Sequence, residues 1–219
     1  MVNSAKPAVL FDLDGTLVDT ADDLGAALNH VLKQHAMPLL TPAQYRPVAS
    51  HGARGLLEAG FGSVLAEYDF NQLRNQLLTY YNDHVVVHSD LFAGGHALLQ
   101  TLMQRHIPWG IVTNKPYRLA ARIVRQLPVL HDCQILIGGD SLSVRKPDPT
   151  PLWIAAHQLR TPASHCWYLG DAQRDIEAGL RAGMRTVLCE FGYIGPLDTP
   201  STWGAHHHIA RLDGLLELL

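Results

Sequence analysis

Three cysteines, Cys133, Cys166 and Cys189, are all that this 219-residue chain carries, and no two of them form a CxxC pair. At least two sit in apolar strand-like runs, so they read as small buried hydrophobes of a protein in a reducing compartment. Long apolar runs are missing as well. No uninterrupted stretch reaches the length of a membrane span, and Met1 to Lys6 holds no signal-type segment ahead of the first strand. The basic residues are scattered and the net charge is −3, which gives no surface for nucleic acid or an anionic membrane. Repeats and low-complexity linkers are absent too. The expectation is a cytoplasmic protein, a monomer or weak homodimer, with a small-molecule partner. What the chain does have is 47% hydrophobic content, enough for a sizeable core in one large or two unequal domains.

The most informative segment is Phe11-Asp12-Leu13-Asp14-Gly15-Thr16-Leu17-Val18. Ala8 to Phe11 reads as a fully buried strand, bounded by Pro7 and Gly15. With a period of two, Asp12 and Asp14 leave that strand on one side while Leu13 points to the other. Gly15 lets the chain turn with its backbone close to whatever the two acids hold. One carboxylate could attack phosphorus while the other handles a proton. An acidic turn after a strand is the plainer alternative.

Strands and helices then alternate, with one interruption. Residues 19–88 carry helical patterns over Asp22 to His35 and Phe70 to His84 and no strand run. From Asp90 the alternation resumes, with strands expected over 109–113, 134–138, 166–171 and 185–190. Helices are expected over 117–126, 149–159 and 173–182, the last closed by Gly183. This pattern implies an α/β fold, a doubly wound parallel sheet with helices on both faces. Residues 1–18 and 89–219 would form the core, and 19–88 a small helical domain inserted into it. His206-His207-His208 is read as surface.

Ligands in such sheets sit beyond the carboxyl ends of the strands. Asp12 and Asp14 end the first run. Thr113 and Asn114 end the second, at what is expected to be the start of the next helix, where backbone N–H groups favour an anion. Lys146 lies just ahead of a Pro-initiated helix, and Asp171 ends the strand before a helix that opens with Asp175. Taken singly, each has a bland alternative: an N-cap for Thr113, a solvated cation for Lys146, a helix-dipole acid for Asp175. Taken together, in order at successive strand ends, they point to one chemistry.

The series DxDGT, TN, KP and GDxxxD resembles the haloacid dehalogenase superfamily of phosphohydrolases along essentially the whole chain. Val112-Thr113-Asn114-Lys115-Pro116 and the helical insert resemble its phosphoglycolate phosphatase branch. His88-Ser89-Asp90-Leu91-Phe92, Phe191-Gly192-Tyr193-Ile194 and Pro200-Ser201-Thr202-Trp203-Gly204-Ala205 are similar to the N-acetylmuramic acid 6-phosphate phosphatases. The resemblance implies that Asp12 attacks phosphorus and becomes a phosphoaspartate. It implies that Asp14 protonates the leaving alcohol and then activates water. Mg²⁺ would be held by Asp12, Asp171 and the backbone carbonyl of Asp14, with Asp175 in support, and Thr113, the Asn114 backbone and Lys146 would hold the phosphoryl oxygens. A cation is needed there, because like charges about 4 Å apart repel by roughly 4 kcal/mol at an effective dielectric of 20.

The insert is expected to act as a lid over the site. Within it, Ser50-His51-Gly52-Ala53-Arg54 places an imidazole and a cation in a small-residue stretch. Either Arg54, with His51, contacts the non-phosphate part of the substrate, such as a carboxylate, or Arg54 sits in solvent on a polar helix start. Two other functions use similar residues. A sugar-phosphate phosphotransferase or mutase shares the phosphoaspartate, and a phospho-acceptor signalling module shares the strand-end acids, Thr and Lys. The signalling module needs neither a lid nor a leaving-group acid at Asp14. A dehalogenase would not need Asp14 either, and a phosphonatase would need an amine in the lid.

Overall fold

The computed structural model describes residues 6–219. The Met1–Lys6 segment, expected to carry no apolar leader, lies outside the described residues except for Lys6. The first part runs β1 (Ala8–Phe11), β2 (Val18–Asp19), α1 (Ala21–Gln34), α2 (Pro42–Tyr45), α3 (Gly52–Phe61), α4 (Phe70–Asp83) and β3 (Asp90–Leu91). Then follow α5 (Gly95–Gln104), β4 (Trp109–Val112), α6 (Tyr117–Gln126), β5 (Leu136–Ile137), α7 (Thr150–Gln158), β6 (Cys166–Gly170), α8 (Gln173–Arg181), β7 (Arg185–Cys189) and β8 (His207–Ile209).

Six strands form one parallel sheet in the order β5-β4-β1-β6-β7-β8. β1 is central, and all four of its residues are fully buried. Val9 and Phe11 face a core shared with α5 and α6, while Ala8 and Leu10 face one shared with α7 and α8. That is the period-two alternation of a strand covered on both sides. Each large side chain buried this way stabilises the fold by roughly 1.5–3 kcal/mol. The chain leaves β1 toward β4 and β5 on one side and returns to β6, β7 and β8 on the other. The carboxyl end of β1 therefore lies where the strand order reverses, the crevice in which such folds bind ligands.

Between β2 and β3 the chain is helical. α1 buries Leu24, Ala27, Leu28, Val31 and Leu32, one face at helical spacing, and α4 buries Leu73, Leu77 and Tyr81. Asp69 caps α4 by accepting from the Asn71 and Gln72 amides at 2.8 and 3.2 Å. At the two ends of the segment, Val18 pairs with Leu91 and Asp19 with Asp90 in an antiparallel ribbon. Asp23 ties the return to α1. Its carboxylate accepts the amides of Val87 (3.1 Å), His88 (2.9 Å) and Ser89 (3.1 Å) and the Ser89 hydroxyl (2.5 Å). Asp23→Ala would strand the buried Ser89 donors, and we expect a loss of about 1–3 kcal/mol in urea unfolding. An unchanged midpoint would mean that water replaces the carboxylate there.

Two expectations need correction. His206-His207-His208 is not simply surface: residues 207–209 are the edge strand β8, and the half-buried His207 ring lies 5.4 Å from that of Trp167. His206 Nδ1 also meets the Thr186 amide at 3.1 Å and its hydroxyl at 2.8 Å. Thr113 and Asn114 do not open a helix. α6 begins at Tyr117, and the intervening turn has Thr113 Oγ1 accepting the Lys115 amide at 3.1 Å. Among the described residues, no helix is long and apolar enough to cross a membrane.

Candidate active site

The carboxyl ends of β1, β4 and β6, with the loop after β5, bring the expected residues to one place. The Asp12 amide donates to the Leu169 carbonyl at 2.9 Å and the Thr113 amide to the Ile137 carbonyl at 2.9 Å, so both positions are fixed by the sheet itself. Asp12, Thr113, Lys146, Asp171 and Asp175 are all buried. Lys146 Nζ lies 2.9 Å from Asp12 Oδ1, 2.7 Å from Asp175 Oδ1 and 2.7 Å from the Tyr168 hydroxyl. Asn114 braces that lysine: its side chain donates to the Lys146 carbonyl at 2.9 Å and accepts the Lys146 amide at 3.1 Å.

Asp175 also does what the bland alternative gave it. Its Oδ2 accepts the Ala172 amide at 3.1 Å at the start of α8. Asp171 accepts from the Thr16 hydroxyl (3.1 Å), the Tyr193 amide (2.9 Å) and the Ser50 hydroxyl (2.9 Å). Ser50 belongs to the helical segment, and Arg174 returns the contact by donating to the Ser50 carbonyl at 2.9 Å. Gly15, at φ +81°, allows the close approach, since a Cβ there would collide with the Asp171 carboxylate.

Asp14 is placed differently. Its Oδ1 accepts from the Thr20 hydroxyl at 2.5 Å and pairs with Lys115 Nζ at 2.8 Å, and it does not belong to the cluster that the other three acids form. Lys115 is itself buried and lies over the Tyr81 ring of α4, 4.5 Å from the centroid. Lys115, Tyr81, Ser50 and Arg174 carry no role in the sequence reading. Lys115 left a signal as a cation beside Thr113-Asn114, and Ser50 as the first residue of the segment singled out in the insert.

The charges explain one another. Burial would raise the Asp12 carboxyl, but Lys146 and Arg174 outweigh it and hold it below the ordinary value. Arg174 also favours the ionised form of Asp171, but its other surroundings outweigh that. Burial, Asp175 and Asp12 push it up to about 7. Asp12, Asp171 and Asp175 each offer an oxygen, and these atoms lie within 4.8 Å of one another. Asp12 Oδ1 and Asp175 Oδ1 have Lys146 as their one polar partner among the described residues. Hard oxygens with spare lone pairs, in a carboxylate cluster short of positive charge, fit a small divalent cation such as Mg²⁺.

One cavity of about 650 Å³ opens over this floor. Asp12, Asp14, Thr113 and Lys146 meet it from the sheet, and His51, Arg54 and Arg74 from the helices. Arg54 is exposed, pairs with Glu58 at 3.3 Å and stacks over Phe70 at 4.6 Å. Arg54 thus lines the cavity while remaining exposed to solvent.

A parallel sheet with these residues in this order at its strand ends defines a class. The haloacid dehalogenase-like hydrolase family model matches residues 9–189, and the chain belongs to that family of hydrolases. Among its relatives, a phosphoglycolate phosphatase of Xanthomonas campestris pv. campestris (strain 8004) is 43% identical, over 90% of this chain and 89% of that protein. An N-acetylmuramic acid 6-phosphate phosphatase of Pseudomonas aeruginosa is 39% identical, over 97% of this chain and 94% of its own. A solved structure described as a predicted phosphoglycolate phosphatase from Haemophilus somnus 129pt superposes with a TM-score of 0.86 at 24% identity, covering 97% of each chain, and shares the fold.

Proposed function

We propose that this hydrolase is a Mg²⁺-dependent phosphomonoesterase for a small acidic or sugar phosphate, working through a phosphoaspartate on Asp12. The observation that carries it is the convergence of Asp12, Asp14 and Lys146 on one cavity floor beside the Asp171–Asp175 pair. Asp12 Oδ forms a bond to phosphorus as the bond to the substrate's alcohol oxygen breaks. It needs no base, because Lys146 and Arg174 favour its ionised form. Asp14, oriented by Thr20 and Lys115, gives the leaving oxygen its proton and then takes one from the water that frees phosphate from Asp12. Lys146, the Thr113 hydroxyl and the Asn114 backbone hold the phosphoryl oxygens. Mg²⁺, held by Asp12, Asp171 and the Asp14 carbonyl with Asp175 in support, would offset the charge of acids and phosphate.

Residues 19–88 act in this reading as a cap, a unit separate from the core formed by 1–18 and 89–219. The Ser50 contacts to Asp171 and Arg174 supply a latch that closes it on the site. Both relatives' names support a phosphatase. Phosphate release should be measured over phosphoglycolate, N-acetylmuramic acid 6-phosphate, hexose phosphates and nucleotides. No release from any of them would overturn the reading, and turnover that needs a bisphosphate activator would favour the phosphotransferase.

A second substrate reading has its own support. A cavity of about 650 Å³ is in the range of pockets for drug-sized ligands (about 300–1,000 Å³) and larger than a two-carbon ester requires. An amino-sugar phosphate with a distant carboxylate would reach Arg54 on α3 and Arg74 on α4. Arg54→Ala should then lower kcat/KM about tenfold on such a substrate and much less on phosphoglycolate, since one exposed charge-assisted contact is lost. Equal effects on both would return Arg54 to solvent.

The metal has a test that needs no turnover. Mg²⁺ should raise the Tm of the wild type at neutral pH, because a cation bound only by the folded state stabilises it. Asp171→Ala should lose that shift, and a chelator should abolish activity that Mg²⁺ restores. A wild type that is fully active without metal would refute the assignment.

A further inference from the structure

We infer that Lys115 and Tyr81 form a subsite for a carboxylate carried on the carbon next to the substrate's ester oxygen. The inference rests on the phosphomonoesterase reading and names the substrate class of that site. Of the cations lining the cavity, Arg54, Arg74 and Arg145 are exposed, Arg174 is tied to the Ser50 carbonyl beside the acid cluster, and Lys146 is already held by Asp12, Asp175 and Tyr168. Lys115 is buried and, among the described residues, makes one side-chain hydrogen bond, to Asp14. An ammonium has three donors, and with Asp14 taking one and the Tyr81 side chain facing another, one stays free next to the cavity.

Tyr81 supplies the second, independent observation. It is fully buried and lines the same cavity; Lys115 is the polar side chain its hydroxyl meets, and the hydroxyl's own proton has no acceptor among the described residues. A buried hydroxyl proton without an acceptor costs free energy unless something completes it. The two donors come from opposite sides, one from the β4–α6 turn and one from α4, and meet where Lys115 lies over the Tyr81 ring. A carboxylate has two oxygens to place, and an ammonium with a phenol is a matched pair for them.

Position decides which carboxylate. Lys115 Nζ is 2.8 Å from Oδ1 of Asp14, the carboxyl that protonates the leaving group in this mechanism. A group within reach of both donors is therefore attached within an atom or two of the ester oxygen. A carboxylate far along a sugar would instead lie toward Arg54 and Arg74.

The test compares 2-phosphoglycolate with ethyl phosphate, which is nearly the same size and lacks the carboxylate. Lys115→Met should lower the ratio of their kcat/KM values by about ten- to a hundredfold, and Tyr81→Phe by about tenfold. A role confined to orienting Asp14 would reduce both esters equally, and that result overturns the subsite. A measurement on the wild type covers the case in which neither variant folds. By calorimetry, phosphonoacetate should bind at least about tenfold more tightly than ethylphosphonate, and equal affinities overturn the proposal. If selective phosphonoacetate binding is found but no ester is hydrolysed, the subsite stands and the hydrolytic reading falls.

Discussion

Asp12→Asn is expected to yield a folded protein that binds phosphate esters and releases no phosphate, with kcat reduced by at least about four orders of magnitude. The amide is nearly isosteric with the carboxylate but cannot attack phosphorus. The fold should tolerate it. Lys146 keeps Asp175 at 2.7 Å and the Tyr168 hydroxyl at 2.7 Å, so the buried ammonium is not left alone. Asp12 is also one of the two carboxylates that push Asp171 up to about 7, and removing its charge relieves that repulsion. The lowered carboxyl of Asp12 shows that its charge also favours the fold, so the two effects oppose each other and the Tm of the variant in metal-free buffer should stay close to that of the wild type. A variant that keeps even a few per cent of the wild-type rate in a preparation free of wild-type enzyme would take the nucleophile away from Asp12.

The core was legible because its signals are local. β1 stands in the sequence as four apolar residues between Pro7 and an acidic turn, and it is found at Ala8–Phe11. The longest helices were legible for the same reason: expected over 22–35 and 70–84, they are found at Ala21–Gln34 and Phe70–Asp83. What could not be read depends on partners distant in the chain. β2 and β3 have two residues each and exist only because they pair across the helical segment. β8 hides in a run of histidines, since an edge strand needs only one neighbour, here β7. At the site, strand-end position found Asp12, Thr113 and Asp171. Tyr81 and Arg174 carry no motif, and Ser50 stood out only as part of a small-residue stretch; the folding of the helices over the sheet brings them to the acids.

The two acids of the DxD segment differ by only two positions, yet their surroundings divide the labour. Asp12, the proposed nucleophile, lies among positive charge and other carboxylates. Asp14 is turned toward Thr20 and Lys115 on the cavity wall, where a leaving oxygen would emerge. Two structural roles for Asp14 have to be separated from acid catalysis, because its side chain also anchors those partners. Asp14→Asn separates them: the amide oxygen still accepts from the Thr20 hydroxyl and from Lys115, so the wall keeps its shape and only proton delivery is lost. General-acid help is worth about a hundred- to ten-thousandfold, and mainly where the departing oxygen needs its proton. Asp14→Asn should thus lose that much kcat on an alkyl ester such as phosphoglycolate, whose alkoxide is a poor leaving group. On 4-nitrophenyl phosphate, whose phenolate leaves without a proton, the loss should stay within about tenfold. The difference between the two substrates is the readout, and it does not depend on how well the variant binds metal. Equal losses on both would make Asp14 a positional residue, and the proton would then have to come from water or from Lys115.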